Sequence, residues 1–150
     1  MIPVSLLKKV LVSKPRYILD TGPLVAYANA RDQHHAWACG VLDAIGEAPL
    51  VPEIVIAEAC WLLRSSKTAV QGVLLLAEGG AVRISPVLGP TQRGVAQWMA
   101  KYWPRMDIAD ACILGLAERN PQARIITTDM RDFSVYRLGG KTLPLITPQL

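Results

Sequence analysis

Ile18-Leu19-Asp20-Thr21-Gly22-Pro23-Leu24-Val25-Ala26 is a short apolar run that ends on a carboxylate and passes at once into a turn and a second apolar segment. Arg16 to Asp20 reads as a strand. Thr21-Gly22-Pro23 opens a helix continuing to about Asn29, because proline is favoured just inside a helix start. Asp20 is thereby expected at the carboxyl end of a strand. The same pattern returns late in the chain, where Ile125-Ile126-Thr127-Thr128 precedes Asp129.

Between these two points short strands alternate with helices. His34 to Glu47 reads as a helix, Ala48 to Val51 as a strand, and Pro52 to about Ser66 as a helix carrying Ile54, Glu58 and Trp61 at helical spacing. Thr68 to Glu78 is helical and stops at Gly79-Gly80; Ala81 to Ser85 is a strand and Thr91 to Trp103 a helix ended by Pro104. Asp107 to Glu118 is again helical, Ala123 to Thr128 is a strand, and Lys141 to Ile146 reads as a last one. Strands separated by helical segments predict an α/β fold with a mainly parallel sheet, whose ligands bind at the carboxyl ends of the strands.

Composition fits a single packed domain. The 150 residues are 51% hydrophobic and 19% charged. No apolar run is long enough to span a membrane and none resembles a signal-peptide core, so a soluble, cytoplasmic protein is expected. Cys39, Cys60 and Cys112 are too widely spaced for a zinc knuckle and read as reduced core cysteines. The formal charge is +4, but residues 1–16 hold four basic residues and no acid, so the rest of the chain is balanced. Within that rest, Arg83, Arg93, Lys101 and Arg105 precede a cluster of acids from Asp107 to Asp132. Such segregation suits a basic phosphate-binding surface, with Arg131 as a further member, beside an acidic pocket; a solvated helix face accounts for the same arginines.

Four acids carry the chemistry: Asp20, Glu58, Asp110 and Asp129. Each stands in an apolar context, where a bare carboxylate costs several kcal/mol in desolvation. A hard divalent cation offsets that cost, and an all-oxygen set without histidine or cysteine suits magnesium or manganese better than zinc. Asp107, three residues before Asp110, shares its helix face and is a further oxygen donor. Thr21, Thr128 and Asp132 are candidates for orienting the ligands.

Each acid also has a plainer reading. Asp20 can close an Asx turn, Glu58 can pair with Arg64, and Asp107 can cap its helix while Asp110 favours the first-turn dipole. Asp129 and Asp132 sit in a turn-like segment. Other catalytic sets are weaker: His34 and His35 are adjacent and diverge on a helix, nothing marks Cys39 as an activated thiolate, and no phosphate-binding GxxxxGK[ST] loop occurs. Asp20-Thr21-Gly22 also lacks the second aspartate of a haloacid-dehalogenase-like phosphatase.

Ile18 to Ala26, Pro52-Glu53-Ile54-Val55-Ile56-Ala57-Glu58, Met106-Asp107-Ile108-Ala109-Asp110-Ala111 and Ile126-Thr127-Thr128-Asp129-Met130-Arg131-Asp132-Phe133 together resemble a PIN domain, in order and spacing, over about residues 16–137. The resemblance implies a three-layer α/β/α sandwich and a magnesium- or manganese-dependent endoribonuclease in which Asp20, Glu58, Asp110 and Asp129 are the metal-binding acids. A compact example is most similar to VapC-like toxins, which implies an RNA substrate and an inhibitory antitoxin partner. Homodimerisation is a further expectation, with Trp37, Trp61, Trp98 and Trp103 in either core or contact roles. Residues 1–15 depart from the compact pattern and read as a basic N-terminal extension to a domain at 16–150. The competing expectation is a PIN-like module that binds RNA or protein without cutting.

Overall fold

A computed structural model of the chain describes residues 14–149. The expected extension, apart from Lys14 and Pro15, lies outside the described residues. The domain is built on five short strands, β1 (Tyr17–Leu19), β2 (Leu50–Pro52), β3 (Arg83–Ser85), β4 (Arg124–Ile126) and β7 (Leu145–Ile146), in the order β3-β2-β1-β4-β7. Every pairing among them is parallel. Parallel sheets are covered on both faces, which accounts for strands with no polar alternation, such as Tyr17-Ile18-Leu19 and Ile125-Ile126.

The helices are α1 (Thr21–Ala28), α2 (His35–Ala44), α3 (Glu53–Leu62), α4 (Lys67–Glu78), α5 (Leu88–Lys101), α6 (Ile108–Arg119) and the single turn α7 (Met130–Phe133). From β1 the chain moves outward to β2 and β3, then returns to β4 on the other side of β1. Because parallel crossovers are right-handed, this reversal puts the helices of the two halves on opposite faces. The β1/β4 boundary is therefore the switch point, where ligands of open α/β sheets bind. Register carries this out: Leu19 stands opposite Ile126, so the segments following both strands leave the sheet side by side.

Helix α6 lies at the centre. Every residue from Ala109 to Ala117 is buried, and the helix packs on β1, β2 and β4 as well as on α3 and α5. Gly115 is required there, since a Cβ would lie 2.8 Å from Val87 Cγ1. Ile18, Leu19, Leu24, Ile113, Leu114, Ile125, Ile126, Phe133 and Tyr136 form the most deeply buried part of the core.

Four details differ from the sequence reading. The helix expected over His34 to Glu47 runs only His35–Ala44, and Gly46 turns with φ of 68°. The helix expected from Thr91 begins at Leu88, is interrupted at Thr91 and stops at Lys101. The expected Lys141 to Ile146 strand divides: β6 (Lys141–Thr142) pairs antiparallel with β5 (Arg137–Leu138), and only β7 joins the main sheet. The hairpin turns on Gly139 and Gly140, both at positive φ, the geometry a tight primed turn needs. Finally, Asp107 precedes α6 rather than sharing its face, standing as the N-cap. Among the described residues no helix is long and apolar enough to cross a membrane.

Candidate metal centre

Asp20 follows β1 directly, and its N–H donates to Ile126 O at 3.0 Å, extending the β1–β4 ladder by one bond. It caps α1 and is 7% exposed. Its Oδ1 accepts from Thr21 N and its Oδ2 from Thr127 Oγ1, both at 2.8 Å. Burial pushes its pKa up to about 6; the Thr127 and Thr21 hydrogen bonds oppose this, and the charges of Glu58 and Asp107 add to it.

Asp110 lies in the first turn of α6 and is 9% exposed. Its Oδ2 accepts a 2.6 Å hydrogen bond from the Tyr136 hydroxyl, and its N–H donates to Asp107 Oδ1 at 2.8 Å. Burial pushes Asp110 up to about 8, against the Tyr136 hydrogen bond and with added repulsion from Asp107, Asp20 and Asp129. The Tyr136 hydroxyl is held well above its usual value by burial, then by Asp110.

The remaining acids approach from their own elements. Glu58, half-buried on α3, accepts a 2.5 Å hydrogen bond from Thr21 Oγ1, so the residue after Asp20 tethers it. Asp129 caps α7: its Oδ1 accepts from Asp132 N at 2.9 Å and its N–H donates to Thr127 Oγ1 at 3.0 Å. Thr127, fully buried, thus serves both strand-end acids, donating to Asp20 and accepting from Asp129.

The charges of Glu58 and Asp107 act on Asp20, and those of Asp107, Asp20 and Asp129 act on Asp110, so these acids share one electrostatic neighbourhood at the switch point. Among the described residues the side-chain ion pairs are Arg16–Glu47 and Arg105–Asp132, so none of the five is paired with a base. Nor do any three His, Cys, Asp or Glu side chains among the described residues form a group ready to hold a metal as they stand. Like charges gathered at one edge of the sheet disfavour one another's ionisation, and a cation among them would relieve that cost. Their chemistry fits one: Glu58, Asp107, Asp110 and Asp129 each keep an oxygen free of protein hydrogen bonds among the described residues, and hard cations take oxygen donors.

The plainer readings separate accordingly. Asp20, Asp107 and Asp129 do cap helices, yet the cap engages one carboxylate oxygen of each; the other is left in Asp107 and Asp129 and accepts from Thr127 in Asp20. Glu58 does not pair with Arg64, whose guanidinium lies over the Trp61 ring, 3.9 Å from its centroid, and donates to Trp61 O. Thr21 orients Glu58, but Thr128 does not bond an acid; its Oγ1 occupies the space that a Cβ on Gly22 would need.

The basic residues divide. Arg105 reaches Asp132 at 2.8 Å, and Arg131 lies beside them on the wall of one cavity. Arg83 is not brought there: it opens the outermost strand, opposite Leu50, at the amino edge of the sheet. Arg93 is exposed on α5, and Lys101 sits at the end of that helix, 5.1 Å from the Tyr102 ring centroid. Sequence reasoning missed Thr127 and Tyr136. The first had a signal, being the first hydroxyl after the Ile125-Ile126 run; the second had none.

Comparison with known proteins gives the family and the fold. Residues 17–138 match the PIN domain family. Ribonuclease VapC26 of Mycobacterium tuberculosis is 33% identical over 133 residues, covering 86% of this chain and 98% of the relative. Among solved structures, VapC20 of Mycobacterium tuberculosis, a Sarcin-Ricin loop cleaving toxin, superposes with a TM-score of 0.66 at 19% identity, over 73% of this chain and 86% of the other. VapBC2 from Rickettsia felis, bound to a DNA fragment from its promoter, gives 0.61 at 18% identity, over 89% and 98%. At these identities the two structures speak for the fold alone.

Proposed function

Because the chain belongs to the PIN-domain family, we propose that it is an endoribonuclease, hydrolysing RNA with magnesium or manganese held by Asp20, Glu58, Asp110 and Asp129. Asp107, through its uncommitted oxygen, is a further donor. The observation that carries this reading is the pair Asp20 and Asp110, both buried without a basic partner and both resisting ionisation beside other acids. A site so costly when metal-free is one that a divalent cation stabilises.

When bound, the cation supplies charge neutralisation and Lewis acidity toward a phosphate and a water. The chain's residues supply the rest. Thr127 fixes Asp20 and the backbone of Asp129, Thr21 fixes Glu58, and Tyr136 fixes Asp110, so the donors hold their orientation when their protons leave. Arg105 and Arg131 hold substrate phosphates on the Asp132 side.

Direct water attack leaves a 5′-phosphate and a 3′-hydroxyl. Mapping product ends tests this: a 2′,3′-cyclic phosphate would overturn it, because that product arises from attack by the substrate's own hydroxyl.

The VapC-like relatives support a toxin role with an antitoxin partner, acting in the cytoplasm, and a homodimer belongs to the same reading. The acids as they stand form no ready cage, which favours a second reading, a module that binds without cutting. Metal-dependent cleavage decides between the two.

A further inference from the structure

Beyond Asp132 lies a cavity of roughly 580 Å³ lined by Tyr102, Trp103, Pro104, Arg105, Arg131 and Asp132. It adjoins the acids through short connections. Asp132 N donates to Asp129 Oδ1, while Tyr136, which donates to Asp110, lies with its ring centroid 5.0 Å from that of Tyr102.

Its chemistry is aromatic and cationic. Arg105 spends one N–H on Asp132 Oδ1 at 2.8 Å, which fixes the guanidinium and leaves other donors of its fork for a phosphate. The Arg131 charge has no ion-pair partner among the described residues. Trp103 is 73% exposed beside these two arginines, whereas Trp37 and Trp98 pack against the core. The other exposed indole, Trp61 at 64%, has the Arg64 guanidinium over its ring face and shares its groove with Glu58 and Asp107, so that face is already engaged.

We propose that this cavity is a nucleotide subsite for RNA, in which the Trp103 indole stacks a base next to the cleaved linkage and Arg105 and Arg131 take its phosphate. The assignment rests on the ribonuclease reading above. Stacking on an aromatic side chain is sequence-tolerant, because every base presents a π-face, and each stacked base is worth about five- to a hundredfold in binding. Asp132 is then a positioning residue with two duties: its N–H holds Asp129 and its carboxylate aims Arg105.

The test uses a short randomised oligoribonucleotide pool, labelled with a fluorophore, and follows cleavage by the full chain with manganese or magnesium. Trp103→Leu is expected to raise KM about five- to a hundredfold with kcat nearly unchanged, while Trp103→Phe, which keeps a ring, stays near wild type. Arg131→Gln is expected to lower the salt dependence of RNA binding by about one phosphate contact. Wild-type KM in Trp103→Leu would overturn the subsite and leave the nuclease standing. So would equal losses in the Leu and Phe variants, or unchanged RNA kinetics with loss of a co-purifying protein, which would make Trp103 a protein contact. If the wild-type chain cuts no RNA, the ribonuclease reading fails and the subsite with it.

Discussion

The Tyr136 hydroxyl donates to Asp110 Oδ2 at 2.6 Å, joining a residue after the last helical turn to the first turn of the central helix, 26 positions earlier. This single bond stabilises the ionised form of a carboxylate that burial otherwise drives toward its neutral form. Tyr136→Phe is expected to leave Asp110 without a partner, costing about 1–3 kcal/mol in a urea titration. It should also weaken apparent metal affinity by about ten- to a hundredfold and move the acid limb of the cleavage pH profile to higher pH. An unshifted limb would mean that Tyr136 serves packing alone.

Thr127 bridges Asp20 and Asp129, so its hydroxyl should matter and its methyl should not. Thr127→Val keeps shape and removes both hydrogen bonds. The expected result is about a ten- to hundredfold loss of apparent metal affinity, with Thr127→Ser close to wild type. Cleavage rates titrated against manganese give the answer.

The raised acids give the metal-free protein an inverted pH dependence. Asp110 and Asp20 bind protons up to about pH 8 and 6 in the folded chain, against an ordinary 3.8. Over that window the folded state holds more protons than the unfolded one, so stability is complete below the ordinary value and is lost as pH rises through 6 and 8. In chelator, Tm should be about 5 °C or more lower at pH 8 than at pH 5. Magnesium should recover more of Tm at pH 8 than at pH 5, and Asp110→Asn should flatten the chelator curve.

Gly22 sits where a Cβ would lie 2.0 Å from Thr128 Oγ1 and 3.3 Å from its Cβ. Gly22→Ala therefore presses on the residue before Asp129. The expected cost is about 1–3 kcal/mol, with reduced cleavage, and Thr128→Ala in the same chain should recover part of both. Differential scanning calorimetry and the cleavage assay together separate the two effects.

Much of this was legible in the sequence because it is local. Ile18-Leu19-Asp20 announces a buried strand ending in a carboxylate, and its late counterpart before Asp129 announces the neighbour; the parallel register then brings the two ends together. Glu58 and Asp110 follow from helical spacing. What the sequence hides depends on distant pairing. Thr127 reaches Asp20 across 107 positions, and Tyr136 finds Asp110 only because the chain after α7 folds back under α6. Arg83 looks equivalent to Arg105 in a list of charges, yet the strand order carries it to the outer edge while Arg105 lies against Asp132. Lys141 to Ile146 reads as one strand, yet the hairpin that turns on Gly139 and Gly140 takes Lys141–Thr142 out of the main sheet.

The most direct measurement is cleavage of a mixed cellular RNA pool by the purified, partner-free chain in magnesium, manganese or chelator, beside Asp20→Asn and Asp110→Asn. The account predicts cutting with either metal, none in chelator, and loss of at least about a hundredfold in each variant, in the range seen when an essential catalytic interaction is removed. Cutting that persists in chelator or in the variants, or a folded, metal-supplied wild-type chain that cuts nothing, would contradict it.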